Sequence, residues 1–201
     1  MEKTPGEEAN ESANESANES LEAVKTLLLH IGEDPTREGL LDTPKRFVKA
    51  WQEWFKGYKE HPEEILSTVF SDVGGYDEIV MLRQIPFESY CEHHVAPIIG
   101  HATIAYLPSQ GVVGISKLAR LLDCYAKRLQ VQEKLTAQIA DAVVKYLKPQ
   151  GVAVIITATH HCMTTRGVHK HRSEMITSEM RGAFREDASA RAEIMALHLG
   201  K

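Results

Sequence analysis

The chain has 201 residues, of which 43% are hydrophobic and 25% charged, with a formal net charge of −5. That is enough for one domain with a sizeable core, or at most two small ones, and it argues against a general nucleic-acid or anionic-membrane binder. No stretch approaches the roughly 20 apolar residues of a membrane span, and the opening MEKTPGEEANES lacks the apolar core of a signal peptide, so the expected location is cytoplasmic.

Residues 9–20 read ANES three times. The run is polar and acidic, so residues 1–20 are expected to be a disordered low-complexity tail. Ser20 is placed to cap a helix through Leu21, Val24, Leu27, Leu28 and Ile31, ended by Gly32. Thr43-Pro44 reads as an N-cap followed by proline at the first helical position. Phe47, Val48, Trp51, Trp54, Phe55 and Tyr58 follow on a broad apolar face, expected to be core or subunit interface. Together, 21–72 form an N-terminal helical region.

From Asp77 the period shifts. Segments 77–90, 99–107 and 111–115 are rich in β-branched residues and punctuated by Pro86, Pro97, Gly100, Pro108 and Gly111, as strands and turns would be. Ser116 is placed to cap a helix bearing Leu118, Leu122, Tyr125 and Leu129. A second helix carries Leu135, Ile139, Val143 and Leu147. VAVIITATHHCM then reads as a strand, 174–184 as another, and 187–198 as a closing helix. Strands, two helices and strands again predict an α+β domain over 73–201, an antiparallel sheet with a helix pair on one face.

The three cysteines are Cys91, Cys124 and Cys162, and seven of the ten histidines fall between His93 and His171. An odd cysteine count argues against a disulfide framework. Cys124 has apolar helical neighbours and reads as core. Cys91-Glu92-His93-His94 supplies thiolate and imidazole ligands, and Cys162 follows His160-His161 at the end of a distant strand. Two cysteines and His94 suit zinc and leave a fourth position for water, the pattern of a catalytic site. A water on zinc loses a proton near neutral pH. Spacing alone leaves other readings open. Core cysteines with surface histidines fit it, and so does a closed structural site with His93 or His161 as fourth ligand.

Four runs, in order, resemble GTP cyclohydrolase I: TPKRF at 43–47, CEHH at 91–94, GISKLARL with RLQVQEKLT at 114–136, and HHCMTTRGV at 160–168. The resemblance covers about residues 21–200. It implies zinc on Cys91, His94 and Cys162, and the conversion of GTP and water to formate and 7,8-dihydroneopterin triphosphate, which opens tetrahydrofolate and pterin biosynthesis. It also implies the tunnelling fold, a four-stranded antiparallel sheet with two helices, assembled into a homodecamer with active sites between subunits.

The reaction needs a proton donor at the purine, a group that reads guanine and a triphosphate cradle. His160 lies two residues before Cys162, so on a strand the two share a face and His160 can protonate N7; the resemblance places an acid–base histidine there too. His161 would point away. By resemblance, His93 and Ser116 serve the later ribose steps, and Gln132 and Glu133 meet the guanine. A carboxylate accepts the adjacent N1–H and amine donors in a fork. Lys117 and Arg120 are three apart on one helix face next to Ser116, at a helix start that favours anions. Arg166 adds charge near the metal, and by resemblance Arg46 reaches in from a neighbouring subunit. His169, His171 and Glu174-Met175-Ile176 depart from the family pattern, which bears on fine substrate contacts and loop order. Two rivals remain. One is a pterin synthase or deazapurine-pathway enzyme of the same fold. The other is a non-catalytic, zinc-stabilised oligomer.

Overall fold

The computed structural model describes residues 5–71, 74–109 and 111–201, with side chains from Ser16 onward. It divides into two compact units, the first ending at Trp54 and the second running Phe55–Lys201. The boundary expected between 72 and 73 lies outside the described residues.

The first unit is helical. Helix α1 spans Pro5–His30 and helix α2 spans Thr43–Trp54. Helix α1 starts at Pro5 rather than Ser20, so it takes in the ANES run expected to be unstructured. Alanine and glutamate are good helix formers, and extending a formed helix costs far less than nucleating one. Ser20 does not cap; its hydroxyl donates to the Ser16 carbonyl inside the helix (2.9 Å). Gly32 does end the helix, at φ 86°, a left-handed turn in which Glu33 N–H donates to Leu28 O (3.0 Å). On α2, Phe47 and Trp51 stack with ring centroids 5.1 Å apart.

The second unit is built on one sheet. After a short helix α3 (Pro62–Ile65), strand β1 (Val69–Phe70) pairs only with β4 (Val112–Val113) in a two-residue ribbon. The main strands are β2 (Val80–Cys91), β3 (Pro97–Leu107), β6 (Gly151–His160) and β7 (Met175–Gly182). They run antiparallel in the order β2-β3-β6-β7, and β5 (Leu129–Gln130) adds a short parallel edge against Tyr90 and Cys91. Helices α4 (Ile115–Ala126) and α5 (Gln132–Leu147) cover one face. Chain order closes with α6 (His161–Thr164), α7 (Ala183–Glu186) and α8 (Ala188–Leu199). This is the α+β arrangement expected from sequence, with β5 as an addition.

Alternation along the strands sets the two faces. Ile98, Ala102, Ile104 and Tyr106 of β3 and Val152, Val154 and Ile156 of β6 meet Leu118, Leu122, Leu135, Ile139 and Val143. Each large side chain buried there contributes about 1.5–3 kcal/mol. On the opposite face, Ala105 and Ala153 pack with Phe184 and Ile194, which brings α8 under the sheet. Strand β2 changes phase partway. Its register with β3 shifts between Leu82 and Ile85, with Gln84 at φ 57°. Before this bulge the helix face holds Val80 and Leu82; after it, Ile85, Phe87 and Cys91. The bulge therefore turns Cys91 toward the helices.

Several boundaries differ from the expectation. Residues 111–115 form only the two-residue β4. Helix α4 begins at Ile115 after Gly114, and Ser116 lies in its first turn without capping it. Phe55 and Tyr58 leave α2 and join the second unit, where Phe55 stacks on Tyr90 (5.2 Å) and Tyr58 Oη accepts from Leu129 N (3.1 Å).

Gly100 permits the closest approach in the sheet. A Cβ there would lie 2.2 Å from Thr157 O and 2.6 Å from Ala158 Cβ. Gly100→Ala is expected to cost about 1–3 kcal/mol through overpacking of β3 against β6. An unfolding midpoint equal to that of the wild type would refute this packing.

Candidate metal centre and acid–base site

The site assembles where β2 and β6 end at one edge of β3. Tyr90 pairs with Pro97 and Ile98 pairs with His160, so the register carries Cys91 and His160 to the same end of the sheet. A tight turn follows Cys91. Cys91 N–H donates to Ala96 O and Val95 N–H to Cys91 O, both at 2.8 Å. Val95 sits at φ 52°, a costly conformation for a β-branched residue. The turn is thereby held in one shape, and it presents His93 and His94 on exposed backbone.

Strand β6 stops at His160, and His161–Thr164 form a single helical turn. The strand alternation expected to align His160 with Cys162, and to turn His161 away, therefore does not apply. The helical turn carries Cys162 to the group instead. Ligand atoms of Cys91, His94 and Cys162 all lie within 4.8 Å of one another. Cys91 Sγ is 3.8 Å from His94 Nδ1 and 3.8 Å from His93 Nδ1. Arg166 Nη1 lies 3.2 Å from His94 Nε2.

The donor set fits a zinc ion. Cys91 is 4% exposed. Burial first, then the neighbouring Cys91 sulfur, push the Cys162 thiol above its usual range. Without a cation, two thiolates side by side are disfavoured by desolvation and by mutual repulsion; a divalent ion among them removes both penalties. Thiolate and imidazole are the ligand types zinc prefers.

His160 is half-buried beside this group. Its Nε2 is 2.8 Å from Gln132 Oε1. Burial lowers its pKa, and the charge of Glu133 partly opposes that shift. Glu133 is exposed in the first turn of α5, where the helix dipole favours a carboxylate. Gln132, expected to touch guanine, is only 1% exposed. Its NH₂ group, with two protons, faces three acceptors: Ile156 O (3.1 Å), Met175 O (3.0 Å) and Thr177 Oγ1 (3.1 Å). Those protein partners and His160 occupy the amide, so it faces His160 rather than open space.

The other expected residues lie elsewhere. Ser116 and Lys117 open α4, about 15 Å along the helix, at ~1.5 Å per residue, from the end that leads into β5 beside Cys91. Arg120 lines a cleft of about 250 Å³ with Lys56, Lys59, His61, Glu64 and Asp123. Arg46 belongs to the first unit, where it pairs with Asp42 (3.2 Å). The structure thus gathers Cys91, His93, His94, His160, Cys162 and Arg166, with Gln132 and Glu133 at their side, and leaves Ser116 and Lys117 at the far end of α4.

Sequence reasoning missed three contributors. Lys134 pairs with Glu92 (3.8 Å), tying α5 to the cysteine turn. Thr136 and Thr177 contact each other (2.6 Å) behind Gln132. Thr136 lies four residues after Gln132 on one helix and was legible by spacing. Thr177 reaches the site only through β6–β7 pairing, which no local signal reveals.

The chain is similar to known proteins over most of its length. The family model of GTP cyclohydrolase I matches residues 20–199. GTP cyclohydrolase 1 of Hyphomonas neptunium is 59% identical over 170 residues, covering 85% of this chain and 82% of that protein. GTP cyclohydrolase 1 of Maricaulis maris is 55% identical over 175 residues, covering 87% and 85%. A crystal structure of the archaeosine synthase QueF-Like in the apo form aligns with 52% of this chain and 93% of its own, at 19% identity and a TM-score of 0.43. With nearly the whole chain from residue 20 matched, and relatives well above half identical, this protein belongs to the GTP cyclohydrolase I family.

Proposed function

We propose that the chain is a zinc-dependent GTP cyclohydrolase I that converts GTP and water to formate and 7,8-dihydroneopterin triphosphate. The observation that carries this is the convergence of Cys91, His94 and Cys162 beside His160, in a chain of that family.

Cys91, His94 and Cys162 would hold the ion, and zinc bound there supplies Lewis-acid activation of water. The remaining work falls to the protein's own groups. Attack of water at C8 of the purine is helped by a proton delivered to N7. His160 is the donor; burial lowers its pKa, which makes its protonated form a stronger acid toward N7. Glu133 accepts N1–H and the exocyclic amine of guanine, a fork that adenine cannot offer. His93, beside the ligands, and Ser116 serve the ribose rearrangement. Lys117, Arg120, Arg166 and Arg46 neutralise the triphosphate.

Lys117 and Arg166 do not meet in one chain. Ser116 and Lys117 stand a helix length from the cysteine end, while Arg166 touches His94. A homo-oligomer, in the decameric form of the family, would complete each site with residues from neighbouring copies. No helix among the described residues is long and apolar enough to cross a membrane, and a cytoplasmic location fits a GTP-consuming enzyme. The rival of a non-catalytic zinc protein is separated by turnover alone.

Cys162→Ala is expected to remain a folded oligomer with little bound zinc and no formate release. Wild-type formate release from the zinc-free variant would sink the mechanism. Lys117→Ala should raise KM for GTP by about tenfold or more, the scale of one charge-assisted phosphate contact. It should barely affect guanosine analogues lacking phosphates; equal effects on both would remove Lys117 from the cradle. Wild-type enzyme should favour GTP over inosine triphosphate, which lacks the exocyclic amine, by about 10²-fold or more in kcat/KM. Glu133→Gln should shrink that ratio, and an unchanged ratio would show that Glu133 does not read the base.

A further inference from the structure

We infer that residues 166–172 form a cationic collar for the polyphosphate of the nucleotide, in which Lys170 and Arg172 join Arg166 as binding residues. This rests on the reading of the cysteine edge as a nucleoside triphosphate site.

The sequence concentrates positive charge in this loop. The chain carries a formal net charge of −5, yet it has no aspartate or glutamate between Asp141 and Glu174. Arg166, Lys170 and Arg172 fall at the end of that gap, with His169 and His171 among them. All five side chains are exposed. Among the described residues, neither Lys170 nor Arg172 pairs with a carboxylate.

The backbone fixes where these charges stand. Lys170 N–H donates to Met163 O (2.9 Å), which ties the loop to α6, the turn that carries Cys162. Ser173 Oγ donates to Lys170 O (2.9 Å) where the chain leads into β7. Gly167 and His169 adopt left-handed conformations, at φ 65° and 51°, and bend the segment back toward α6. At its start, Arg166 Nη1 lies 3.2 Å from His94 Nε2. The loop is thus anchored at the edge that holds the candidate metal ligands, and its cations are held there with it.

Its chemistry selects an anion. His169 and His171 stand with ring centroids 6.4 Å apart, as two ligands of a second metal would. Lys170 between them and Arg172 beside them repel a divalent cation, and no carboxylate offsets that charge before Glu174. Three cations on one anchored loop attract a group of several negative charges instead. Their field reaches about 8 Å at physiological ionic strength. A triphosphate is such a group: arginine offers paired N–H donors to its oxygens, and lysine a point charge. These charges act on capture and binding of the nucleotide. The bond changes at C8 and N7 belong to the groups beside the metal.

The test compares zinc-loaded, full-chain wild type with Lys170→Gln, Arg172→Gln, the double variant and the charge-keeping Lys170→Arg. Each single Gln variant is expected to raise KM for GTP about threefold and the double variant about tenfold, with kcat within about twofold. Raising salt from about 50 to about 500 mM should raise the wild-type KM and move that of the double variant much less. Inorganic tripolyphosphate, which has neither base nor ribose, should compete with GTP, and its inhibition constant should rise in the double variant in step with KM. Lys170→Arg should match the wild type, and zinc content and oligomer size should be the same in all. The inference is overturned if the double variant keeps the wild-type KM, inhibition constant and salt dependence. It is equally overturned if the loss falls on kcat, or follows zinc content or oligomer size. If the wild type released no formate from GTP, the cyclohydrolase reading would fail, and calorimetric titration with tripolyphosphate would still decide the collar: weaker binding by the double variant upholds it, and equal binding removes it.

Discussion

The register of β3 against its two neighbours is the constraint on which the site depends. Pairing runs without interruption from Ile98↔His160 to Leu107↔Gly151 on one side. On the other it closes at Tyr90↔Pro97. A slip of one residue would turn every side chain to the opposite face, removing the apolar stripe from α4 and α5. The apolar core thus enforces the register. The register in turn places Cys91 and His160, some 70 residues apart in sequence, at one edge. Gly100 belongs to the same constraint, since any side chain there would collide with β6. The bulge near Gln84 is the one phase change in β2, and it decides which face Cys91 joins. Catalytic geometry here is a by-product of packing far from the chemistry.

Electrostatics at that edge are arranged in two zones. In the exposed zone, Arg166 sits against His94, and His93 adjoins it. In the buried zone, Gln132, Thr136 and Thr177 form a fully partnered network behind His160. A buried amide left unpaired costs about 1–3 kcal/mol, so the network persists only because every donor there has an acceptor. The contrast with Gln130 is instructive. Its Oε1 is the one buried side-chain oxygen or nitrogen without a partner among the described residues. The cysteines stand between the zones. Burial and proximity raise Cys162, so a cation is what reconciles two thiolates with this environment.

The sequence disclosed most of what depends on composition and period. Helix α5 was visible in Leu135, Ile139 and Val143, and all three are buried. The strands around 80–91, 97–107 and 151–160 followed from β-branched runs and their glycine and proline breaks. The candidate ligand group Cys91, His94 and Cys162 was legible through residue type together with the family resemblance, since spacing alone left other readings open. Contextual features were hidden. The strand-to-helix change after His160 has no proline or glycine to announce it, so strand alternation was carried two residues too far. The helical continuation through the ANES run was masked by its polarity. The burial of Gln132 was not legible because burial is not a property of the residue type. Thr177 was invisible because only the β6–β7 ladder brings it to Gln132.

On the proposed roles of Ser116, Lys117 and Arg166, the same geometry would leave one chain an incomplete enzyme. A triphosphate nucleotide needs cations at one end and acid–base groups at the other, separated by the length of the ribose and base. Within a chain, α4 opens with Ser116 and Lys117 and then runs its full length before β5 delivers Gln130 to the side of Cys91. The rigid helix that separates these groups cannot bend to unite them, because Leu118, Leu121 and Leu122 anchor it to the sheet at 0–1% exposure. At the cysteine edge, Arg166 is the cation in contact with the candidate ligand His94. On the proposed function, a second copy would supply that convergence by presenting its own α4 start to this edge. Closed symmetry achieves that without new sequence, since one surface then serves as donor of the cradle and another as acceptor in every protomer. On that proposal, catalysis would be inseparable from assembly.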